Sequence, residues 1–331
     1  MGDLEYALQV DDDNLSYASL EDEYIHLPFT KRLWMERQLF MKQRKPIFAS
    51  LFVLVYGAMI LFRNIAFYRY RAGPRLKDLG YDLFPEFSED AKEITDVPMI
   101  ALNVVTVVVL MGALLGPHVT GGSFNNRPHF VNIVRRMLCV YAIGHSLRAM
   151  TYLSTTIPGA SDICLTPELL HPPKSIAECF YRIHSFNTGC GDLIFSGHML
   201  FVSLVFLFTL RYGASSWGQP RFGKLHCSLL VTCVGLGCVQ AVFILKARHH
   251  YSVDIVVALY TVPLVWYFYG REIQPHDDQV DILLLDQQMK VYKLKSTIAQ
   301  IFDLACILSY LLVIVFSLLL VVHGNFKWMG L

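Results

Sequence analysis

Long apolar runs alternate with short polar segments along most of the chain, and each run can cross a bilayer as a helix. We place predicted spans at residues 47–62, 97–115, 137–157, 193–210, 225–245, 251–270 and 301–322. The pattern predicts an all-α polytopic membrane protein, with a bundle of six spans and a seventh C-terminal span. No internal repeat stands out, so an inverted-repeat transporter has no support.

The polar segments between these runs divide the chain further. Residues 1–30 are acidic and are expected to form a disordered cytosolic tail. Residues 31–45 interleave basic and apolar side chains, which favours an amphipathic juxtamembrane segment on an anionic leaflet. Residues 46–270 would then form the six-span catalytic domain, and 271–300 a cytosolic segment before the last span.

The distribution of basic residues predicts the orientation. With the N-terminus in the cytosol, the cytosolic segments carry 16 Lys and Arg residues and the segments on the other face carry 11. The positive-inside rule favours this arrangement. It places the loops 63–96, 158–192 and 246–250 on the lumenal or exoplasmic face.

Composition narrows the class of protein. Apolar residues make up 54% of the chain and charged residues 17%, which is not typical of a soluble domain. The net charge of +1 gives no basic surface for nucleic acid. The eight cysteines lack metal-site spacing, and neither a metal nor another cofactor is implied.

Two polar clusters adjoin apolar runs on the predicted lumenal face. In the second, His250 and Asp254 are four residues apart, so both project from one face of a helix. We interpret His250 as a nucleophile at phosphorus and Asp254 as the group that fixes its tautomer. The alternative is an interfacial histidine beside an aspartate that caps a helix.

The first cluster contains Asp192, Ser196 and His198. We interpret His198 as a general acid and base, although a lone histidine in a span can also be a packing residue. Asp192 would orient a substrate hydroxyl or His198, or cap the fourth span. Arg148, in the third span, suits a phosphodiester in a low-dielectric cleft, the alternative being a pair with a buried acid.

Four motifs in order resemble the sphingomyelin synthase family. The second, third and fourth motifs match well, and the first matches less cleanly, since the family favours Pro where Lys77 stands. In chain order the motifs are Pro74–Asp82, Arg135-Arg136 through His145-x-x-Arg148 to Pro158, Cys190–His198, and His250–Asp254. His145 stands where the family usually has Tyr.

The resemblance implies a fold and an activity. The family belongs with the lipid phosphate phosphatase-like membrane enzymes and moves a phospholipid headgroup onto ceramide, releasing diacylglycerol. Its catalytic His, His and Asp correspond to His198, His250 and Asp254. The resemblance implies a Golgi membrane, with the endoplasmic reticulum or plasma membrane as alternatives, and an active site on the lumenal face.

Finer features resemble plant-type inositolphosphorylceramide synthases, namely the stretch 189–196, Met199 and Arg248. They indicate phosphatidylinositol as the preferred donor and phosphatidylcholine as the next. Ser196, Tyr251 and Arg248 join Arg148 and Asp192 as expected substrate-binding residues. Arg248 would meet a hydroxyl-rich ring, whereas a quaternary ammonium would want aromatic faces such as Tyr251.

Two other functions remain open at this point. A lipid phosphatase or phospholipase C would use water as the acceptor. The usual phosphatase signature has an Arg several residues upstream of the second His, where this chain has Ile244. A seven-span transporter or receptor with an inactive site is the other alternative, and the intact His198, His250 and Asp254 argue against it.

Overall fold

A computed structural model describes residues 29–120, 128–165, 172–183 and 190–273. A π-helical stretch, Val53–Leu61, joins the first two α-helices. In chain order the α-helices of these ranges are α1 Phe29–Phe52, α2 Phe62–Arg69, α3 Leu79–Leu83, α4 Glu89–Lys92, α5 Val97–Thr120, α6 Phe130–Ser154, α7 Gly197–Tyr212, α8 Lys224–Lys246 and α9 Ser252–Phe268.

The predicted helical membrane fold is confirmed. Within the described residues, four helical stretches are long and apolar enough to cross a bilayer, namely Glu36–Arg69, Ile94–Gly116, Lys224–Lys246 and Ser252–Arg271. Helix α7 is apolar but has only 16 residues. The acidic tail up to residue 28, the predicted span at 301–322 and nearly all of 271–300 lie outside the described residues.

The first helix runs without interruption through the basic segment 31–45 and into the first span. Buried Glu36 explains how this segment is held. Its carboxylate accepts hydrogen bonds from the backbone N–H groups of Phe130 and Val131, and it pairs with His129 at 3.0 Å. A carboxylate there satisfies the unpaired N–H groups that begin α6 and complements the helix dipole.

Helix α7 lies at the centre of the bundle, in contact with α5, α6, α8 and α9. Its side chains Leu204, Val205 and Phe208 are fully buried. The neighbouring helices, rather than lipid, cover much of α7. A helix shorter than a typical membrane span can therefore occupy this position.

Helix α7, the helix of the fourth predicted span, begins four residues later than the apolar run suggests, at Gly197 rather than residue 193. The Ser196 hydroxyl caps it by accepting from the Met199 N–H at 3.3 Å. The Arg148 guanidinium binds the carbonyl oxygens of Asp192 and Phe195. Because Arg148 uses these carbonyls, residues 192–196 form a loop beside α6 instead of a first helical turn.

Loops from distant parts of the chain meet at one end of the bundle, which we call the histidine end because His198 and His250 lie there. Asp78 accepts hydrogen bonds from the Ser252 N–H at 2.8 Å and the Ser252 hydroxyl at 2.7 Å. The Tyr251 hydroxyl donates to the Pro158 carbonyl at 3.1 Å. These bonds join the first, second and fourth motifs.

A disulfide between Cys164 and Cys190 ties two further loops together at this end. Cys190 precedes Gly191, whose backbone lies against the carbonyl of Ala66 in α2. A side chain at Gly191 would place its Cβ 2.8 Å from that oxygen, so this close approach requires glycine. The disulfide and the glycine together fix where residues 192–196 begin.

Candidate active site

A cavity of about 320 Å³ lies at the histidine end. The cavity is lined by side chains from the π-helical stretch and the start of α2, and from the start of α5 and the middle of α6. Residues 160–164 and both histidine motifs complete the lining. Its ionisable lining includes Arg63, Asp96, Asp192, His198, His249 and His250. The predicted catalytic histidines, which are 52 positions apart in the sequence, therefore face the same cavity.

His250 and Asp254 form the pair that their spacing predicts. The His250 Nδ1 lies 3.1 Å from the Asp254 Oδ2, and Asp254 is fully buried. The same Oδ2 accepts from the Tyr251 N–H at 3.0 Å. A carboxylate at Nδ1 favours the tautomer in which Nε2 keeps its lone pair, so the ring is oriented to react through Nε2.

His198 lies across the cavity from His250, with 6.0 Å between the ring centroids. Its Nε2 is 3.4 Å from the Oδ1 of Asp96, the last residue before α5. Each predicted catalytic histidine thus has its own carboxylate. Sequence reasoning missed Asp96, because an acidic residue at the start of an apolar run is also typical of a helix N-terminus.

Arg148 and Asp192 form an ion pair at 2.9 Å. Burial by itself would raise the pKa of Asp192, but the charges of Arg148 and Arg63 outweigh it and lower that pKa to about 2. Asp192 is therefore ionised at neutral pH. The predicted alternative in which Asp192 caps the fourth span is wrong, because Ser196 is the cap.

Arg148 lines the cavity, yet much of its hydrogen-bonding capacity is used on the 192–196 loop. Its Nε donates to the Phe195 carbonyl at 2.6 Å. The pair with a buried acid, predicted as an alternative to phosphate binding, is present. The Arg148 guanidinium thus fixes the loop that leads into α7 and His198.

Arg248 also lines the cavity, with its guanidinium turned toward the first motif. The guanidinium carbon lies 4.0 Å from the centre of the Tyr81 ring, and Nη2 donates to the Phe84 carbonyl at 3.3 Å. Its Nε is 3.6 Å from Glu86. This arrangement anchors the 79–86 segment beside the second histidine.

Two other predicted binding residues, Ser196 and Tyr251, are not among the cavity-lining residues. Ser196 is fully buried as the cap of α7. The Tyr251 hydroxyl is held between the Pro158 carbonyl and the Leu76 N–H. The structure brings their neighbours His198 and His250 to the cavity and uses these two side chains to hold the loops.

His249 lies beside His198, with the rings stacked at 6.5 Å. Burial, together with charge repulsion from the neighbouring His250 and His198, lowers the pKa of His249 to about 4. His249 is therefore neutral at physiological pH. In the sequence, the spacing to Asp254 is what distinguishes His250 from the adjacent His249.

Comparisons with known proteins identify the family of this chain. The model of the PAP2 superfamily C-terminal family matches residues 189–271, the part that carries both histidine motifs. The chain is 32% identical over 250 residues to the phosphatidylinositol:ceramide inositolphosphotransferase of Oryza sativa subsp. indica, covering 73% of this chain and 70% of the relative. Phosphatidylinositol:ceramide inositolphosphotransferase 2 of Arabidopsis thaliana is 34% identical over 224 residues, which cover 66% of this chain and 67% of the relative.

A cholinephosphotransferase is also similar. The human phosphatidylcholine:ceramide cholinephosphotransferase 1 is 33% identical over 167 residues, covering 46% of this chain and 38% of the relative. The fold and the paired histidines define a PAP2-type membrane protein. Within that class, the chain belongs to the ceramide phosphotransferase family, which confirms the resemblance seen in the four motifs.

Proposed function

We propose that this protein transfers the phosphate-containing headgroup of a glycerophospholipid to the primary hydroxyl of ceramide and releases diacylglycerol. The observation that carries the proposal is the buried His250–Asp254 pair facing His198 across one cavity, in a chain of this family. Hydrolysis is the competing reaction in the same site, with water as the acceptor.

The first half-reaction follows from the orientation of His250. Its Nε2 attacks phosphorus, and the bond from phosphorus to the diacylglycerol oxygen breaks. His198 donates a proton to that leaving oxygen. Asp254 stabilises the imidazolium charge that develops on His250, because a buried carboxylate interacts strongly with a nearby cation. The product is a phosphohistidine that carries the headgroup.

The second half-reaction reverses the proton transfer. His198, now neutral, takes the proton from the primary hydroxyl of ceramide. The hydroxyl oxygen then attacks phosphorus and breaks the bond to His250, which restores the free enzyme. Ping-pong kinetics follow from this order. The Oδ1 of Asp96 lies 3.4 Å from the Nε2 of His198 and orients that ring.

The cavity also supports lipid substrates. Met59, in the π-helical stretch after α1, lines the cavity and is 51% exposed. Met99, at the start of α5, lines the same side. An apolar residue shared by the cavity and the lipid-facing surface gives acyl chains a route between the first and second spans.

We propose that the site lies on the lumenal face and the N-terminus in the cytosol. The Cys164–Cys190 disulfide supports this orientation, because disulfides persist in the secretory pathway and at the cell surface. The bias of basic residues toward the opposite face agrees with it. The Golgi membrane is the proposed address.

We propose phosphatidylinositol as the preferred donor. Arg63, Ser161 and Asp192 line the cavity and offer charged and hydroxyl groups to a polyhydroxylated ring. Among the described cavity-lining residues, Tyr141 is the aromatic side chain other than the histidines. A quaternary ammonium is bound best by several aromatic faces, so this lining favours inositol over choline.

Expression in cells that lack endogenous sphingolipid synthases tests the activity, with mass spectrometry of the sphingolipids formed. We expect an inositol-containing ceramide product. Competition between phosphatidylinositol and phosphatidylcholine in detergent micelles, with a fluorescent ceramide, tests the donor. Product from phosphatidylcholine alone would overturn the donor assignment, and diacylglycerol release without any ceramide product would establish a hydrolase.

A further inference from the structure

His145 is a polar side chain of the cavity to which the mechanism assigns no role. His145, on α6, lines the cavity, and its Nδ1 is buried without a hydrogen bond to any residue in the described part of the chain. A buried nitrogen that lacks a partner lowers stability, and a phenylalanine would avoid that cost. The position therefore calls for a polar partner that the described part of the chain does not supply.

His145 is held in place by its neighbours. Its ring packs edge-on against Tyr141, one turn earlier on α6, with 4.6 Å between the centroids. On the other side lies Gly197, where an added Cβ would be 3.8 Å from the His145 Cε1. Gly197 directly precedes His198. The imidazole of His145 thus lies beside the start of α7, next to the proposed acid and base.

The depth of His145 indicates which part of a substrate it meets. It precedes Arg148 by three residues, which is about 4.5 Å along a helix. Because α6 ends at Ser154 at the histidine end, this step leads toward the middle of the bilayer. A lipid bound with its reacting oxygen at His198 places its headgroup on the outer side and its interfacial polar groups on the inner side, level with His145.

We propose that His145 hydrogen-bonds the polar backbone of the acceptor, meaning the secondary hydroxyl or the amide of ceramide. This inference rests on the proposed function. Both groups lie within a few bonds of the primary hydroxyl that reacts. A neutral imidazole presents one donor and one acceptor, which matches a hydroxyl or an amide. The ester carbonyls of diacylglycerol can only accept, so His145 distinguishes the sphingoid backbone from the glycerol backbone.

The test compares ceramide with two analogues, 3-deoxyceramide and N-methylceramide, in detergent micelles with the purified full-length protein. The variants are His145→Phe, which keeps a ring without its nitrogens, and His145→Gln, which keeps a donor and an acceptor. Ser146→Ala is the matched control, because that hydroxyl donates to the Ala142 carbonyl of its own helix. Initial rates of transfer and of diacylglycerol release are both measured.

We expect wild type to prefer ceramide over at least one analogue by about tenfold, the effect of one buried hydrogen bond. His145→Phe should lower kcat/KM for ceramide by the same factor and abolish the preference, and His145→Gln should restore part of it. The single-turnover release of diacylglycerol, measured without ceramide, reports donor cleavage alone; it should fall less than transfer in His145→Phe, which also shows that the variant is folded. Ser146→Ala should behave as wild type.

The outcomes separate this inference from the proposed function. If wild type transfers nothing to ceramide, the proposed function fails. If wild type transfers to ceramide and His145→Phe retains the same preference among the acceptors, the role of His145 is overturned. A fall in donor cleavage equal to the fall in transfer would also overturn it, because His145 would then act on the donor or on the fold.

Discussion

Replacing Asp254 with Asn should slow transfer without disturbing the shape of the site. The Asp254 Oδ2 accepts from both the His250 Nδ1 and the Tyr251 N–H, whereas its Oδ1 is buried without a hydrogen bond to the described residues. An asparagine can keep its oxygen toward those two donors and place its amide nitrogen on the other side. The change therefore removes the negative charge and retains the geometry.

The magnitude follows from the loss of one charge-assisted hydrogen bond. Such bonds contribute about 1.5–3 kcal/mol, and about 1.4 kcal/mol corresponds to a tenfold change in rate. We expect Asp254→Asn to lower kcat by about 10- to 150-fold. His250→Ala should abolish transfer, because no other group replaces the nucleophile.

The assay is thin-layer chromatography of a fluorescent ceramide product, with equal amounts of purified protein in micelles. Asp162→Asn is the matched control, because this exposed carboxylate pairs with Arg75 at the surface and does not line the cavity. It should transfer at the wild-type rate. Wild-type activity in a folded His250→Ala variant would refute the mechanism, and an unchanged rate in Asp254→Asn would show that the carboxylate has no electrostatic role.

Three further predictions concern orientation, covalent structure and pH. A glycosylation acceptor placed in the loop 158–192 should be modified and one in 271–300 should not; the reverse pattern in a gel-shift assay would put the site in the cytosol. Cys164→Ser should lower the free energy of unfolding by about 3.5 kcal/mol, the loop entropy expected for a separation of 26 residues from Cys190. In thermal melts, the variant with both cysteines changed to serine should lose no more stability than the single variant. His249 remains neutral in the folded protein down to pH about 4 but binds a proton below about 6.5 when unfolded, so stability should fall as the pH drops between these values. His249→Gln should show a smaller fall in melting temperature over that range, and an identical fall in both proteins would contradict the assigned cause.

The helices and the central pair of the site could be predicted from the sequence. Apolar length locates the membrane helices, and the four-residue spacing identifies the His250–Asp254 pair, because both signals are local. The start of α7 could not be found this way. It depends on Arg148, 49 positions before Gly197, whose guanidinium binds the carbonyls of the preceding loop.

The structure differs from the sequence-based interpretation for residues whose roles depend on contacts with distant parts of the chain. Tyr251 directly follows His250 and Ser196 is two residues before His198, yet their side chains hold loops rather than line the cavity. Asp96 is far from His198 in the sequence but pairs with it in space. The cysteines at 164 and 190 carry no local signal for pairing, since eight cysteines allow many combinations.

The bond between Asp78 and Ser252 sets an order for the making of the protein. The two residues are 174 positions apart, so the bond cannot form until the ribosome has passed Ser252. By then the helices α5 to α8 have already been synthesised. The first motif must lack this anchor through that whole interval, and a chain truncated before residue 252 retains only other contacts of the first loop, such as those of Arg75 with Asp162 and of Arg248 with Phe84. Synthesis of the fourth motif thus also supplies this anchor of the first motif.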